Sequence, residues 1–500
     1  MKASRFTFHV SRFTFHVSPF TFHLPRFTFH VSRFTFHLLR FIKQYWGLLI
    51  ALTASLVAYG GLVHLHLRTG TLTFGNVPIT LRWYALAFIA YLGALIWAEW
   101  RRGLSLKVIF AAALLFRILL LLTLPTLSGD VYRYLWEGHL AAQGVSPYAY
   151  PVNSPQLDDL TIPWRAQVDH AWMASPYLPA AQFLFAAIAW LFPLHPFFFQ
   201  LAMVFFDLLT GLLLVGLLRL AELPAYRSLI YLWHPLVILE VAQGAHLDAW
   251  MIFLLFLALW LTFTKRFPKV APWLAPPVLA LATLTKGLPI LVLPLLFWRW
   301  RWRQFILYGL IIAAIVVPIG WRVGWGLTGP LSGVGLFGAL RIFAGRWNFN
   351  SGLFHWLETS LAGWGVVSAN SWGKRVISTV MLASLAAVWL KARGVQNARA
   401  SLRLMAVPFM FYILLIPTVH PWYLLVLLAF LPFFPPAGSE SRWRWLAVAP
   451  WLYLSWAVAL SYWTYLNPLD LREFEWVRKT EWWPTLGLLI IWFFKNNWRY

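Results

Sequence analysis

Polar and charged side chains collect in residues 128–150, a stretch that follows a long apolar run. It reads SGDVYRYLWEGHLAAQGVSPYAY, and Asp130 stands almost directly after the apolar residues that end at Leu127. A carboxylate at the mouth of a membrane helix is costly, so such residues are usually functional. If a short helix follows Asp130, Arg133 and Glu137 lie three and seven residues further along the same face. Several polar groups are therefore expected to face one point.

Four further polar motifs interrupt the apolar sequence downstream. They read HPLVILEVAQGAHLDAW, TLTKGLP, RWNFNSGLFHW and PTVHPWY. No single motif is specific, but one membrane topology sends all five to the same side. Their candidate site residues are, in chain order, Glu240, His246, Asp248, Lys286, Arg346, Trp347, Asn350, His420, Trp422 and Tyr423.

Structural interpretations compete with chemical ones for the acidic motifs. Asp130 could serve only as a helix cap, a position that Asp favours. His246 and Asp248 resemble half of a metal site, to which Glu137, His139 and His420 could add ligands. The sequence has no tight ligand spacing such as HExxH, so we predict no metal and no other cofactor.

The cationic and aromatic candidates are equally open to two interpretations. Lys286 could extend its amine to the lipid headgroups, or it could neutralise a phosphate as a point charge. Trp347, Trp422 and Tyr423 could belong to the aromatic belt of a membrane interface. Aromatic faces also stack on sugar rings, so the two roles are compatible. Arg117 and Asp207 lie inside apolar segments and could form a buried pair.

The composition indicates an all-α, polytopic transmembrane bundle. Of the 500 residues, 61% are hydrophobic and 11% charged, and the mean hydropathy is +0.68. The formal charge is +24, but its lysines and arginines sit in short clusters between apolar segments, so no nucleic-acid partner is expected. The chain has no cysteine, which excludes disulfides, thiol nucleophiles and cysteine-bound metals.

Hydropathy predicts about 13 or 14 membrane spans. With the N-terminus in the cytoplasm, most basic clusters lie inside and most acidic residues lie outside, which puts the five motifs on the extracytoplasmic face. The predicted spans and short passes are residues 45–67, 81–97, 108–127, 196–218, 228–245, 248–263, 271–297 (two passes), 305–320, 376–390, 404–419, 422–434, 445–461 and 484–494. Residues 175–192 form a short, proline-containing segment that could be re-entrant or interfacial.

Residues 5–39 are five near-identical copies of one heptad, RFTFHVS in its first form. Two prolines interrupt an alternating apolar pattern, so neither a coiled coil nor a long strand fits. The repeats could bind a metal or an anionic leaflet, but a translated DNA repeat or an early start site is the simpler interpretation. We predict a separate extension at 1–44 and a membrane domain at 45–500, with outer loops at 128–173 and 321–375.

Taken in order, these motifs resemble the GT-C superfamily of integral membrane glycosyltransferases, in particular its bacterial polyprenyl-phosphate-sugar-dependent, mannosyltransferase-like branch. The resemblance covers residues 45–495 and is carried by GDVYRYLWEGHLAAQGVSPY, HPLVILE with GAHLDA, TKGLP, WNFNSGLF and HPWY. Two features depart from that pattern. His234 stands where Asn is expected before the proline, and two predicted spans precede the one that leads to Asp130.

The resemblance implies transfer of a hexose, expected to be mannose, from a polyprenyl-phosphate carrier to a lipid or glycan hydroxyl outside the plasma (inner) membrane. Asp130 would be the general base of an inverting reaction, with its pKa raised at the dry membrane boundary. Lys286, or else Arg346, would neutralise the phosphate. The expected substrate-binding residues are Tyr132, Arg133, Glu137, Glu240, His246, Asp248, Lys286, Arg346, Trp347, Asn350, His420, Trp422 and Tyr423.

Two other functions remain open at this point. A lipid or glycan transporter would place its substrate near the bilayer midplane and would show inverted repeats. The chain has short, proline-broken passes, but no internal symmetry is visible. A polymerase or ligase of lipid-linked glycans would also work on the outer face, but its donor would be a pyrophosphate lipid.

Overall fold

A computed structural model describes residues 24–329, 332–435, 442–467 and 469–497. The fourth and fifth heptad copies lie in its first helix, which continues without a break into the first apolar segment. The first two copies and most of the third lie outside the described residues. The proposed boundary at residue 44 therefore stays a prediction.

The described residues are 74% helical, as the composition predicts, and they contain no strand. Two isolated bridges join Phe349 and Asn350 to Thr418. The α-helices of these residues are, in order, α1 (Leu24–Thr69), α2 (Val77–Arg101), α3 (Leu106–Leu120), α4 (Asp130–Ala142), α5 (Pro179–Leu191), α6 (Pro196–Leu220), α7 (Leu229–Leu232), α8 (Pro235–Ile238), α9 (Asp248–Phe263), α10 (Ala271–Lys286), α11 (Leu293–Leu296), α12 (Trp302–Val323), α13 (Gly338–Arg346), α14 (Leu353–Gly363), α15 (Ala369–Ala392), α16 (Ala398–Leu415), α17 (Leu425–Phe430), α18 (Ala449–Ala457) and α19 (Glu475–Asn497).

Within the described part of the chain, seven helical segments are long and apolar enough to cross a membrane alone. Each coincides with a span that hydropathy predicts, so the multi-pass character is confirmed. The other predicted passes are shorter, are bent or, as in Glu475–Asn497, lie in a helix that is not apolar enough, and the total of 13 or 14 stays a prediction. The seven are Tyr45–Thr69, Phe74–Arg101, Pro196–Leu220, Trp302–Val323, Ala369–Ala392, Ala398–Leu415 and Trp445–Tyr465.

A bent pair of helices crosses the middle of the fold. Residues Pro235–Gln243 and Asp248–Phe263 meet at 117°, and the turn between them carries His246. The first limb begins at Pro235 and ends in one π-helical turn, Leu239–Gln243. His234, which replaces the expected Asn, caps this limb by accepting a hydrogen bond at Nδ1 from the Leu236 amide. The histidine thus performs the N-cap role that an Asn would have.

Two glutamines attach this bent pair to the segment that leads into α4. The buried Gln200 amide donates to the carbonyls of Thr123 and Ala242, at 2.9 and 2.7 Å. Gln243 donates to the Leu124 carbonyl at 2.9 Å. Backbone carbonyls that helix breaks leave unpaired must find donors inside a membrane protein. These side chains supply them, and they bring the end of the first polar motif to the bent pair.

The predicted pair of Arg117 on α3 and Asp207 on α6 is confirmed. Their side chains are both 0% exposed, and the guanidinium nitrogens lie 2.5 and 2.6 Å from Asp207 Oδ2. Tyr231 donates to Asp207 Oδ1 at 2.7 Å, and Arg117 also donates to the carbonyls of Ala113 and Leu232. Both charges are therefore well supplied with partners, as a buried pair must be.

We expect Asp207→Asn to destabilise the protein strongly, because it leaves the Arg117 guanidinium buried without a counter-charge. Breaking a buried pair by removing one partner costs about 3–5 kcal/mol. The exposed pair of Asp158 and Arg165, in which Asp158 is 67% exposed, is the matched control, and Asp158→Asn should cost less than about 1 kcal/mol. Thermal denaturation of the purified proteins in detergent measures the difference. Equal melting temperatures for the two variants would contradict the prediction.

Candidate active site

Asp130 is the first residue of α4, but its side chain is not the cap of that helix. Gly129 occupies the N-cap position, and Ser128 Oγ accepts a hydrogen bond from the Asp130 amide at 3.2 Å. The Asp130 carboxylate is 33% exposed and approaches His246. A negative charge at this end of a helix is also favoured by the helix dipole. Asp130 is therefore available for chemistry, and helix capping does not account for it.

Glycine and a left-handed residue form the turn that carries His246. A Cβ on Gly244 would lie 2.7 Å from the His246 ring and 2.8 Å from the Glu240 carbonyl, so a larger residue does not fit. Ala245 has φ +55, a conformation that costs energy for a residue with a side chain. The turn therefore holds the imidazole in a tight position above the π-helical turn.

His246 lies between two carboxylates. Its Nε2 is 3.1 Å from Glu240 Oε2 and its Nδ1 is 3.7 Å from Asp130 Oδ2. Tyr462 donates to the other Glu240 oxygen at 2.7 Å. His246 and Glu240 are fully buried, whereas Asp130 faces open space. A line of polar groups thus runs from the bundle interior to the one exposed carboxylate.

The electrostatics of this line differ from the sequence expectation. Burial alone would lower the pKa of His246, but Asp130 and Glu240 raise it to about 9. Burial opposes ionisation of Asp130, but the cations His246 and Lys286 outweigh it and hold the pKa of Asp130 below its ordinary range. The expectation of a raised pKa for Asp130 is therefore wrong, because neighbouring cations stabilise the carboxylate more than partial burial destabilises it.

Lys286 and Asp248 form a second charged pair beside this line. Lys286 ends α10 and its Nζ donates to Asp248 Oδ2, at the start of α9, at 2.6 Å. Nζ also lies 4.8 Å from the ring centre of Tyr423. The Asp248 Oδ1 atom is buried and has no hydrogen-bond partner among the described residues. This oxygen is an unpaired acceptor next to the Lys286 amine.

Four parallel rings connect the last two motifs to His246. Phe349, His420, Trp422 and His246 stack in that order, with ring-centre distances of 4.8, 4.4 and 3.9 Å. The Phe349 backbone supports one end of the stack, because it exchanges hydrogen bonds with the residues on either side of Thr418. The stack brings the second outer loop and the PTVHPWY motif to the imidazole.

The structure thus gathers about half of the predicted site residues around Asp130. The remaining ones have other neighbours. Arg133 and Glu137 are buried beneath the first outer loop: Arg133 donates to the carbonyls of Asp169 and His170, and Glu137 accepts from Ser175 and Gln182. These hydrogen bonds are all to other protein groups, so they do not support the predicted contact of Arg133 and Glu137 with substrate.

Tyr132, Arg346 and Asn350 also have neighbours other than Asp130, Glu240 and Asp248. Tyr132 stacks on Trp164 and donates to the Pro125 carbonyl. Arg346 is exposed at the end of α13. Asn350 is buried, and its side chain donates to Glu481 at 2.7 Å.

Sequence reasoning missed a cluster contributed by the C-terminal segment. Glu473 accepts from the Asn350 amide at 2.8 Å and from Arg478 at 2.6 Å. Arg478 also donates to the Ser351 carbonyl and contacts His355. These groups hold the residues next to Phe349 in place. The sequence signal was the EFEWVRK run itself, which holds two acids and two bases before the last apolar segment.

Tyr134 and Tyr462 were also missed. Tyr134 lies within the first polar motif among several other aromatic residues, and Tyr462 lies inside an apolar segment, so neither carries a distinguishing signal. Tyr134 lies 3.5 Å from Asp130 Oδ2, and Tyr462 holds Glu240. Among the described residues no group of three or more His, Asp and Glu side chains is arranged to hold a metal ion.

Comparison with known proteins provides an independent result. A family model described as "Alpha-(1->6)-mannopyranosyltransferase, N-terminal domain" matches residues 47–302. The chain is also 26% identical, over 415 residues, to alpha-(1->6)-mannopyranosyltransferase A of Mycobacterium tuberculosis strain ATCC 25618 / H37Rv. That similarity covers 70% of this chain and 73% of the mycobacterial protein. No solved structure matches the chain.

We expect stability to fall as the pH rises through about 9, because the His246 charge pairs with Asp130 and Glu240. A raised pKa stabilises the fold fully below the ordinary value near 6.5 and ceases to do so above the raised value. The loss is on the order of 3 kcal/mol.

Melting temperatures between pH 6 and pH 10 measure this effect in the purified protein. The melting temperature of His246→Asn should be lower than that of wild type near pH 6 and should change less between pH 6 and pH 10. His420→Asn is the control, because burial lowers the pKa of His420 to about 3 and leaves it neutral over this range. If His246→Asn retains the full pH dependence, the assignment is wrong.

Proposed function

Since the chain belongs to the MptA_B family of alpha-(1->6)-mannopyranosyltransferases and is a membrane glycosyltransferase, we propose that it transfers mannose from a polyprenyl-phosphate carrier. The acceptor is a hydroxyl of a glycan or lipid. One observation supports this proposal most directly: a partly exposed carboxylate, Asp130, and a lysine, Lys286, lie at one site, where the charge of the lysine lowers the pKa of the carboxylate. Neutralising a leaving phosphate and accepting a proton are the two tasks that this reaction requires.

In the proposed reaction Asp130 accepts the proton of the acceptor hydroxyl. The acceptor oxygen forms a bond to the anomeric carbon as the bond from that carbon to the phosphate oxygen breaks. The phosphate leaves with the electron pair, and attack from the opposite side inverts the anomeric configuration. A carboxylate beside the sugar also stabilises the positive charge that develops on the ring.

The lowered pKa of Asp130 ensures that the carboxylate is ionised at neutral pH. It also makes Asp130 a weaker base than the sequence suggested, since a general base works best with a pKa near the working pH. Binding of the donor phosphate at Lys286 offsets one of the charges that lower this pKa. In our proposal the donor therefore strengthens the base when it binds.

Lys286 is our candidate for the phosphate contact, ahead of the exposed Arg346. It is 21% exposed and already holds one carboxylate oxygen, so a phosphate can share its protons. The isoprenoid needs an apolar surface nearby. Trp302–Val323 and Ala369–Ala392 supply such a surface, since only 11% and 22% of their apolar windows are buried.

Three further groups are proposed to orient the sugar and the base. The free Asp248 Oδ1 accepts a sugar hydroxyl, and Glu240 holds His246 so that the imidazolium faces Asp130. Tyr423 lies in the same region beside Lys286, whereas Trp422 has His246 on one face and His420 on the other and so supports the imidazole. In this arrangement His246 positions Asp130 and does not exchange a proton with substrate.

We also propose that the site lies on the extracytoplasmic side of the inner membrane, with the N-terminus in the cytoplasm. The helices α9, α10 and α16 each have one end at the site, near Asp248, Lys286 and Pro417. Their opposite ends carry basic residues, among them Lys265, Arg266, Lys269, Arg399 and Arg403. Positive charge marks the cytoplasmic side of membrane proteins.

We expect Asp130→Asn to reduce transfer at least ~100-fold, because the variant keeps the side-chain shape and loses the base. The assay follows label from polyprenyl-phosphate [¹⁴C]mannose into acceptor in membranes with equal protein levels. Asp158→Asn in the same outer loop is the control and should stay active. Transfer that survives Asp130→Asn would remove Asp130 from the mechanism. Transfer only from a polyprenyl-pyrophosphate donor would overturn the proposed carrier.

Lys286→Met should lower kcat/KM for the donor roughly 10- to 100-fold, because it removes a charged hydrogen-bond donor from the phosphate. Lys269→Met, at the opposite and exposed end of the same helical segment, is the matched control. Steady-state rates at varied donor concentration measure the ratio. An unchanged kcat/KM would assign the phosphate contact to another cation, with Arg346→Met as the next variant.

A further inference from the structure

A group of aromatic rings lies where the two outer loops meet, outside the charged site described above. His170 and Trp172 come from the first loop, and Phe343 and Trp347 come from the second. The Trp172 and Trp347 rings are nearly parallel, at 19°, with centres 6.5 Å apart. The edge of His170 meets Trp347 at 4.6 Å, and Phe343 stacks on Trp347 at 5.6 Å. We call these four residues the aromatic platform.

Two contacts fix the platform next to the catalytic carboxylate. Arg133, one turn along α4 from Asp130, donates to the backbone carbonyls of Asp169 and His170 at 2.6 and 2.9 Å. The Asp169 carboxylate packs against Gly129 so closely that a Cβ there would overlap it. Desolvation, together with the charge of Asp130, raises the pKa of Asp169. The first platform residue, His170, therefore directly follows Asp169, a carboxylate whose pKa responds to the charge of Asp130.

The second outer loop connects the platform to the other side of the site. Trp347 stands two residues before Phe349, which stacks on His420 in the column of rings that ends at His246. The platform thus borders the site through both loops. Substrate that reaches Asp130 from outside the membrane would pass along it.

The platform is exposed and has a carboxylate beside it, and these two features distinguish it from an aromatic belt in lipid. Trp172 is 42% exposed, and both Asp169 and His170 are exposed. His170 adopts φ +51, a left-handed conformation that is strained for a histidine. A belt residue needs neither a carboxylate beside it nor a strained backbone. An aromatic face with an adjacent carboxylate suits a sugar ring, since the ring packs its C–H face and donates its hydroxyls.

We propose that Trp172, Trp347 and Asp169 form the subsite that binds a hexopyranose of the acceptor, with Trp172 and Trp347 stacking on the ring and Asp169 accepting its hydroxyls. This inference rests on the proposed transfer function and makes it more specific. The acceptor is then a sugar-bearing molecule, and a bare lipid alcohol is a poor substrate. Arg133 and Glu137 acquire a role as positioning residues, because they hold the loop that carries the subsite.

The kinetic test compares an alkyl mannoside with an alkyl alcohol of the same chain length as acceptors. For the mannoside, Trp172→Ala and Trp347→Ala should each raise the acceptor KM roughly three- to tenfold, the loss expected from one ring contact. The donor KM and the kcat at saturating acceptor should change by less than about twofold. Trp172→Phe keeps an aromatic face and should restore most of the affinity. Trp364→Ala, which removes a tryptophan that is 79% exposed, is the control.

A binding measurement separates failure of the subsite from failure of the transfer function. Saturation-transfer difference NMR with methyl α-mannoside, on protein in nanodiscs, requires no donor. Ring-proton signals from wild type and Trp364→Ala that disappear in Trp172→Ala support the subsite even if wild type transfers no mannose. Equal signals in all variants, no signal from wild type, or a donor KM that rises with the acceptor KM would overturn it.

Discussion

The contact of His246 with Asp130 and Glu240 is the interaction on which the arrangement of the site depends. Each of these residues comes from a different structural setting: a helix start, a tight turn and a π-helical turn. Buried charges are stable only when opposite charges and hydrogen bonds surround them. The imidazolium therefore ties the start of α4 to the bent pair of helices. Through Trp422 it also holds the ring stack that brings in the second outer loop.

The chain uses buried charge in two distinct ways. The pair of Arg117 and Asp207 is completely enclosed, and Tyr231 and backbone carbonyls add hydrogen bonds to it, so it joins α3 to α6 and takes no further part. The charges around Asp130 are left incomplete. Asp130 is partly exposed, and one oxygen of Asp248 has no partner in the described part of the chain. Incomplete pairing distinguishes a site that receives substrate from a contact that only stabilises the bundle.

The two outer loops contribute unequal parts of the site. The family match covers residues 47–302, which include Asp130, Glu240, His246, Asp248 and Lys286. Trp347 and three rings of the stack, Phe349, His420 and Trp422, lie beyond that region. Glu473 and Arg478 of the C-terminal segment hold the backbone of the residues that follow Phe349. In our proposals the matched region performs the chemistry and also supplies Asp169 and Trp172 of the acceptor subsite, and the later region adds Trp347. The paired charges of the C-terminal cluster hold the backbone next to Phe349 in this later region.

The sequence by itself determined the helical membrane fold, because long apolar runs have few alternatives in a bilayer. It also predicted that acids, a lysine and aromatic residues lie on one face of the membrane, from the positions of the motifs between the predicted spans. It identified the partners Arg117 and Asp207, because isolated charges in apolar segments must find each other. Helix lengths were less predictable: short and bent passes have the same hydropathy as straight ones.

Only the tertiary structure decided which polar residues meet. Arg133 and Glu137 share a helix face with Asp130 in the sequence pattern, but the loop beneath them takes up their hydrogen bonds. Tyr462 and Asp169 reach the site from distant positions that no local pattern marks. The pKa of Asp130 depends on His246 and Lys286, which come from two different motifs, and their positions relative to the carboxylate are a property of the folded chain. Sequence periodicity indicates which face of a helix carries a side chain, whereas the pKa of that side chain depends on all the charged groups that the fold places near it.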